Sequence, residues 1–125
     1  MNMKLKNKPL SKSDFEYIIN PIKQCVDNCL IGVREDEIKG LTDAAIFIEA
    51  LCRVTNLQID GLDYISDITS KYRSAIDKKM VLAFTHEEYM LGQDLISVLS
   101  DFIKKRSYGT IKKACELAIE IKGVK

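Results

Sequence analysis

Thr85-His-Glu-Glu-Tyr-Met-Leu-Gly-Gln-Asp-Leu-Ile-Ser-Val-Leu-Ser-Asp-Phe-Ile103 is the stretch whose reading decides the fold. Thr85 followed three residues later by Glu88 has the spacing of a capping box, in which each side chain satisfies an amide that the first helical turn leaves free. Leu91, Leu95, Val98, Leu99, Phe102 and Ile103 then recur at helical spacing. Burying that face contributes on the order of 10 kcal/mol before chain entropy is counted. The spacing predicts a long amphipathic helix, expected to be the central one.

The same rhythm extends in both directions. Ser13 and Glu16 have capping-box spacing and open a first helix, whose apolar stripe includes Phe15, Ile18, Ile22, Val26 and Cys29. Pro21 interrupts it, because proline lacks the amide hydrogen and its ring crowds the preceding turn. That helix is therefore expected to be kinked or split at Pro21. Gly32 ends it, and the charged run Arg34-Glu35-Asp36-Glu37, closed by Gly40, reads as a linker. Thr42 opens a second helix, and a turn follows at Asn56 to Gly61. A third helix runs to about Met80 and carries Leu62, Ile65, Ile68, Tyr72 and Ile76 in phase. Val81 to Phe84 is expected to tuck beneath the bundle. The short link predicts that the third and fourth helices pack antiparallel. Ser107 and Thr110 are alternative caps for a last helix bearing Ile111, Ala114, Cys115, Ala118 and Ile121. The fold class is all-α: a compact bundle of four to five amphipathic helices.

Length and composition bound the function. The 125 residues fit one domain, assigned to residues 11–125. Residues 1–10 read as a flexible basic arm with lysines at 4, 6 and 8. At 46% hydrophobic and 30% charged, the chain is an ordinary globular one. A net charge of +1 supplies no global attraction to nucleic acid or anionic lipid, so any such contact must be local. No apolar run is long enough to cross a bilayer, and the first ten residues lack a signal-peptide core, which together point to the cytoplasm. Four cysteines on apolar helix faces fit a reduced protein.

Chemistry is sparse. Cys25 and Cys29 share a helix face, but structural zinc motifs want a second ligand pair, and the single histidine, His86, lies elsewhere. Asn56, Gln58 and Asp60 before Gly61, with Asp67 beyond, echo a calcium loop. They lack its strong early carboxylates and its final glutamate. No nucleophile, phosphate-loop or metalloprotease motif is present. The expectation is a non-enzyme with no metal and no cofactor.

One surface stands out. Lys104, Lys105 and Arg106 precede Ser107-Tyr108-Gly109-Thr110, and Lys112 and Lys113 follow. Cations in the last turn of the fourth helix complement its dipole, but Lys112 and Lys113 fall where the next helix opens and cations are mildly unfavourable. The patch suits a phosphate, a nucleic-acid backbone or an acidic protein face. The reading is a small helical module, an inhibitor, adaptor or accessory factor of the phage or mobile-element type, that binds a larger protein complex. The alternative is a nucleic-acid-binding regulator using residues 104–113. Ile46, Leu57, Met90 and Ile96 fall off the main stripes and raise a third idea, a homodimer that covers them.

Overall fold

The computed structural model describes residues 7–124, which form five helices and no strand. They are α1 (Lys12–Cys29), α2 (Glu35–Thr55), α3 (Leu62–Asp77), α4 (His86–Lys104) and α5 (Tyr108–Val124). The all-helical reading holds, and the differences lie at the boundaries and in the packing order.

The cap of α1 lies two residues earlier than expected. Ser11, not Ser13, accepts the Asp14 amide on its hydroxyl at 3.1 Å. The helix runs on through Pro21 and is not split there. Proline leaves the carbonyl four residues back, on Tyr17, without its helical donor. Tyr17 and Pro21 both lie on the exposed side of the helix.

The expected linker at 34–40 is instead the opening of α2. The Arg34 amide donates to Glu37 Oε1 at 2.9 Å, and Glu35, Asp36 and Glu37 occupy the first turn, where carboxylates favour the exposed amides. Gly40 is not a breaker. It lies where α1 and α2 approach, and a β-carbon there would stand 2.8 Å from Cys25 Sγ.

Helix α2, rather than α4, is central. Its buried residues include Ala44, Ile46, Ile48 and Ala50, and positions two apart on a helix point to nearly opposite sides. Burial on more than one side is what a helix surrounded by others requires. It packs closely on α1, α3 and α5, while α4 packs closely on α1.

Helices α3 and α4 therefore do not form the close antiparallel pair expected from their short link. They meet instead through side chains. Tyr64 donates to the Glu88 carbonyl at 2.7 Å, and Leu95 fills the space above Gly61. Gly61 has φ +142°, and a β-carbon there would fall 2.3 Å from Leu95 Cδ1, so backbone and packing both demand glycine.

Helix α3 ends at Asp77 rather than Met80, with Lys79 in the left-handed region at φ 61°. The connector to α4 is pinned to the α1–α2 turn by two backbone bonds of 2.8 Å, Val33 N–H to Leu82 O and Phe84 N–H to Cys29 O. Phe84 is buried, but Met80, Val81 and Leu82 are exposed, contrary to the expectation that the segment tucks under. Leu91 and Val98, assigned to the buried face of α4, are also about half exposed, because no helix packs closely on that side.

Candidate functional site

The basic turn between α4 and α5 is built from the helix ends upward. Ser107 caps α5, its hydroxyl accepting the Thr110 amide at 3.3 Å and sharing a hydrogen bond with the Thr110 hydroxyl at 3.0 Å. This decides between the two expected caps. The Tyr108 amide donates to the Lys8 carbonyl at 2.7 Å, and Pro9 pairs with Ser107 in an isolated antiparallel bridge. Residues 7–10 of the basic arm therefore bear on the turn, while residues 1–6 lie outside the described part.

Two of the amides that a helix N-terminus would offer an anion are thus already engaged within the chain. What remains for a ligand is side-chain charge and shape. Ser107, Gly109, Thr110, Lys112 and Lys113 line a concavity of about 570 Å³. Lys112 and Lys113 are exposed on its wall. Sequence reasoning missed three further lining residues, Asn7, Val54 and Glu116. Glu116 is one helical turn beyond Lys112 and brings a carboxylate to the same wall. Asn7 and Val54 are distant in sequence and carry no local signal.

The other expected residues separate from this cleft. Lys104 Nζ lies 4.9 Å from the Phe15 ring centroid, and the Arg106 guanidinium 4.3 Å from that of Phe102. Both are cation–π contacts: the first fastens the end of α4 to α1, and the second folds Arg106 back onto α4 itself. Arg106 is half-buried, and its Nε is buried without a partner among the described residues. Lys105 is exposed, and Tyr108 is half-buried, which limits its use as a stacking platform. Of the nine residues, five line the cleft, Lys104 and Arg106 lie on aromatic rings, and Lys105 and Tyr108 do neither.

A second polar cluster, at the opposite end of α4, is closed. Glu88 and Thr85 form the expected capping box, with bonds of 2.8 and 3.1 Å. The same carboxylate takes Lys71 Nζ at 2.7 Å and the Tyr72 hydroxyl. Burial pushes the Glu88 carboxyl up, but the bonds from Lys71, Tyr72 and the Thr85 amide outweigh it and hold the group below its ordinary 4.5. Burial and the adjacent carboxylate push the Tyr72 phenol well above its usual range, and burial lifts Tyr64 to about 12. The Glu88 carboxylate and the Tyr64 and Tyr72 hydroxyls are thus spent on structure.

Cys25 donates its thiol hydrogen to the Glu37 carbonyl at 3.4 Å, and Cys29 is buried. The two thiols act on each other first of all, which lowers Cys25 and, together with burial, raises Cys29. Among the described residues, no three His, Cys, Asp or Glu side chains gather as metal ligands, and no helix is long and apolar enough to cross a membrane. Of the four off-stripe residues, Ile46 and Ile96 are buried in a wider core, while Leu57 and Met90 are exposed. No family model matches this chain, and no curated protein or solved structure matches it.

Proposed function

We propose that this protein is non-catalytic and acts by binding another macromolecule, as an inhibitor or accessory factor docking on an acidic protein surface. The observation that carries this reading is the cleft at the start of α5. Lys112 and Lys113 stand exposed on its wall, beside the hydroxyl-bearing residues Ser107 and Thr110 and the close backbone of Gly109. None of the ion pairs among the described residues uses either lysine. Exposed cations that serve no internal bond at a helix start, where they are mildly unfavourable, are explained by an external acid.

Affinity capture of the tagged protein from its native cells, with and without nuclease, tests the reading against a Lys112→Glu/Lys113→Glu variant. The expected result is a stoichiometric protein partner that survives nuclease with the wild type and is lost with the variant. Equal capture by both would remove the cleft as the site.

The second reading, a nucleic-acid-binding regulator, is favoured by the exposed Lys105, a further cation two residues before Ser107. It expects captured material that vanishes with nuclease. It also expects an affinity whose dependence on salt weakens by about one or two units of slope when Lys112 and Lys113 become Ala.

A further inference from the structure

The outer side of α4, away from the basic cleft, carries a regular pattern. Glu87, Leu91, Asp94, Val98 and Asp101 follow one another at alternating steps of four and three. That spacing is the seam of a coiled coil, and it sets these side chains along one ridge of the helix. Acids recur every seven residues at 87, 94 and 101, and Leu91 and Val98 recur every seven between them. A helix ordinarily buries such a seam against a neighbour. Here Leu91 is 46% and Val98 49% exposed, with Met90 equally open beside them, because α4 packs closely on α1 alone.

The three acids are exposed and join no ion pair among the described residues. No lysine or arginine occurs between His86 and Lys104. Charges on the neighbouring helices do not neutralise the ridge. On the α3 side, Lys71 is taken by Glu88 at 2.7 Å, while Asp60 and Asp67 add exposed carboxylates. Asp60 precedes Gly61, which lies against Leu95, and Asp67 is one turn from Tyr64, whose hydroxyl bonds to Glu88. On the α1 side, Lys12 and Lys23 are each matched four residues on, by Glu16 and Asp27. Positive charge enters only past Asp101, at Lys104, which lies over Phe15, and at Lys105.

These properties narrow what can cover the ridge. Its acids repel phosphate and anionic lipid, so a nucleic acid or a charged membrane surface does not fit. The same ridge on a second copy would set acid against acid, or bury acid against leucine. Outside α4, the exposed large apolar side chains within helices are Tyr17 and Ile119, one on each of two helices, so no other helix offers an apolar row. The repeat of seven residues spans about 10.5 Å of axis. An extended strand repeats its side chains every 7 Å or so and falls out of register, whereas a second helix repeats its own seam at the same interval.

We propose that the outer ridge of α4 docks a basic amphipathic helix of a partner protein. Aliphatic residues of that helix face Leu91 and Val98, and its lysines or arginines face Glu87, Asp94 and Asp101. Apolar burial supplies the attraction, and the recurring acids restrict the ridge to cationic partners. This surface is distinct from the basic cleft at the start of α5 and does not depend on it.

The test uses the full chain and a labelled three-heptad peptide with leucine and lysine alternating along its seam, followed by fluorescence anisotropy. Binding is expected at a Kd on the order of 10 µM, and a scrambled peptide of the same composition is expected to bind at least about tenfold more weakly. Asp94→Lys/Asp101→Lys and Leu91→Gln/Val98→Gln are each expected to weaken binding about tenfold or more. A peptide with glutamate in place of lysine is expected to prefer the Asp94→Lys/Asp101→Lys variant to the wild type. Lys112→Ala/Lys113→Ala is expected to leave binding unchanged, which separates this ridge from the cleft. All substituted positions are exposed, and circular dichroism verifies that each variant is folded. The proposal is overturned if the lysine peptide fails to bind, if the scrambled peptide binds equally well, or if binding ignores the α4 substitutions. Sedimentation equilibrium of the protein alone is expected to show a monomer. A dimer abolished by Asp94→Lys/Asp101→Lys would give the ridge to a second copy and overturn the assignment to a partner helix.

Discussion

The two ends of α4 handle charge in opposite ways. At its N-terminal end, Glu88 caps the helix, pairs with Lys71 and takes the Tyr72 hydroxyl, so one largely buried carboxylate serves three partners. At its C-terminal end, Lys104 and Arg106 rest on aromatic rings while Lys105, and beyond the turn Lys112 and Lys113, face solvent. The Glu88 cluster at the first end is electrostatically closed and the second end is open. Polar groups whose bonds are all internal stabilise the fold, whereas cations left unspent near a cleft are available to something outside it. The contrast separates structural charge from binding charge where a count of charges could not.

Four measurements break or sharpen that contrast, taken from the largest expected effect to the smallest. Leu99 sits fully buried in the C-terminal half of α4, between the two ends. Leu99→Ala is expected to cost about 3 kcal/mol in urea unfolding, through lost transfer energy and a residual cavity. It should weaken both ends together and sets the scale for the rest. Glu88→Ala is expected to cost about 2 kcal/mol, since it removes half of the capping box and the carboxylate shared by Lys71 and Tyr72, leaving the Tyr72 hydroxyl with the Ala83 carbonyl alone. A cost near zero would show that the closed end is not closed.

The third measurement is the pH dependence of that end. The folded Glu88 carboxyl lies below its unfolded value of 4.5, so its contribution is complete above that pH and is lost as pH falls through the folded value. Wild-type stability should therefore decline in acid below about pH 4.5, and Glu88→Gln should show a shallower decline over the same window. Parallel declines would place the acid sensitivity elsewhere. Last, Lys112→Ala/Lys113→Ala should change unfolding stability by no more than about 0.5 kcal/mol, because neither side chain makes an internal ion pair among the described residues. A large loss of stability would make the open end structural and remove the reason to assign it to binding.

Much of this was legible in the linear chain, and what was not has identifiable causes. The Thr85–Glu88 box was readable because capping depends on residues three apart. The extent of α2 was misread because Gly40 was taken as a stop. Its actual service, close approach to Cys25, involves a residue fifteen positions earlier. The cations of the α4–α5 turn were readable as a local cluster. Their division into stacked and cleft-lining members was not, because Phe15, Asn7 and Val54 arrive from distant parts of the chain. The exposed connector at Met80 to Leu82 was misjudged for a related reason. An apolar run announces a wish to be buried but cannot say whether anything is there to cover it.

By itself, then, the sequence determined that this protein is helical and where most of its turns fall, together with the cap of α4 and the position of the concentrated positive charge. Those properties rest on interactions between residues a few positions apart, which composition and spacing record directly. Only the tertiary structure decided that α2 is the central helix, that Pro21 lies within one continuous α1, and that the apolar connector and the outer stripe of α4 face solvent. These depend on which faces meet across the bundle. Several packings of amphipathic helices bury similar apolar area, and the choice among them is made by close approaches such as Gly40 to Cys25 and Gly61 to Leu95.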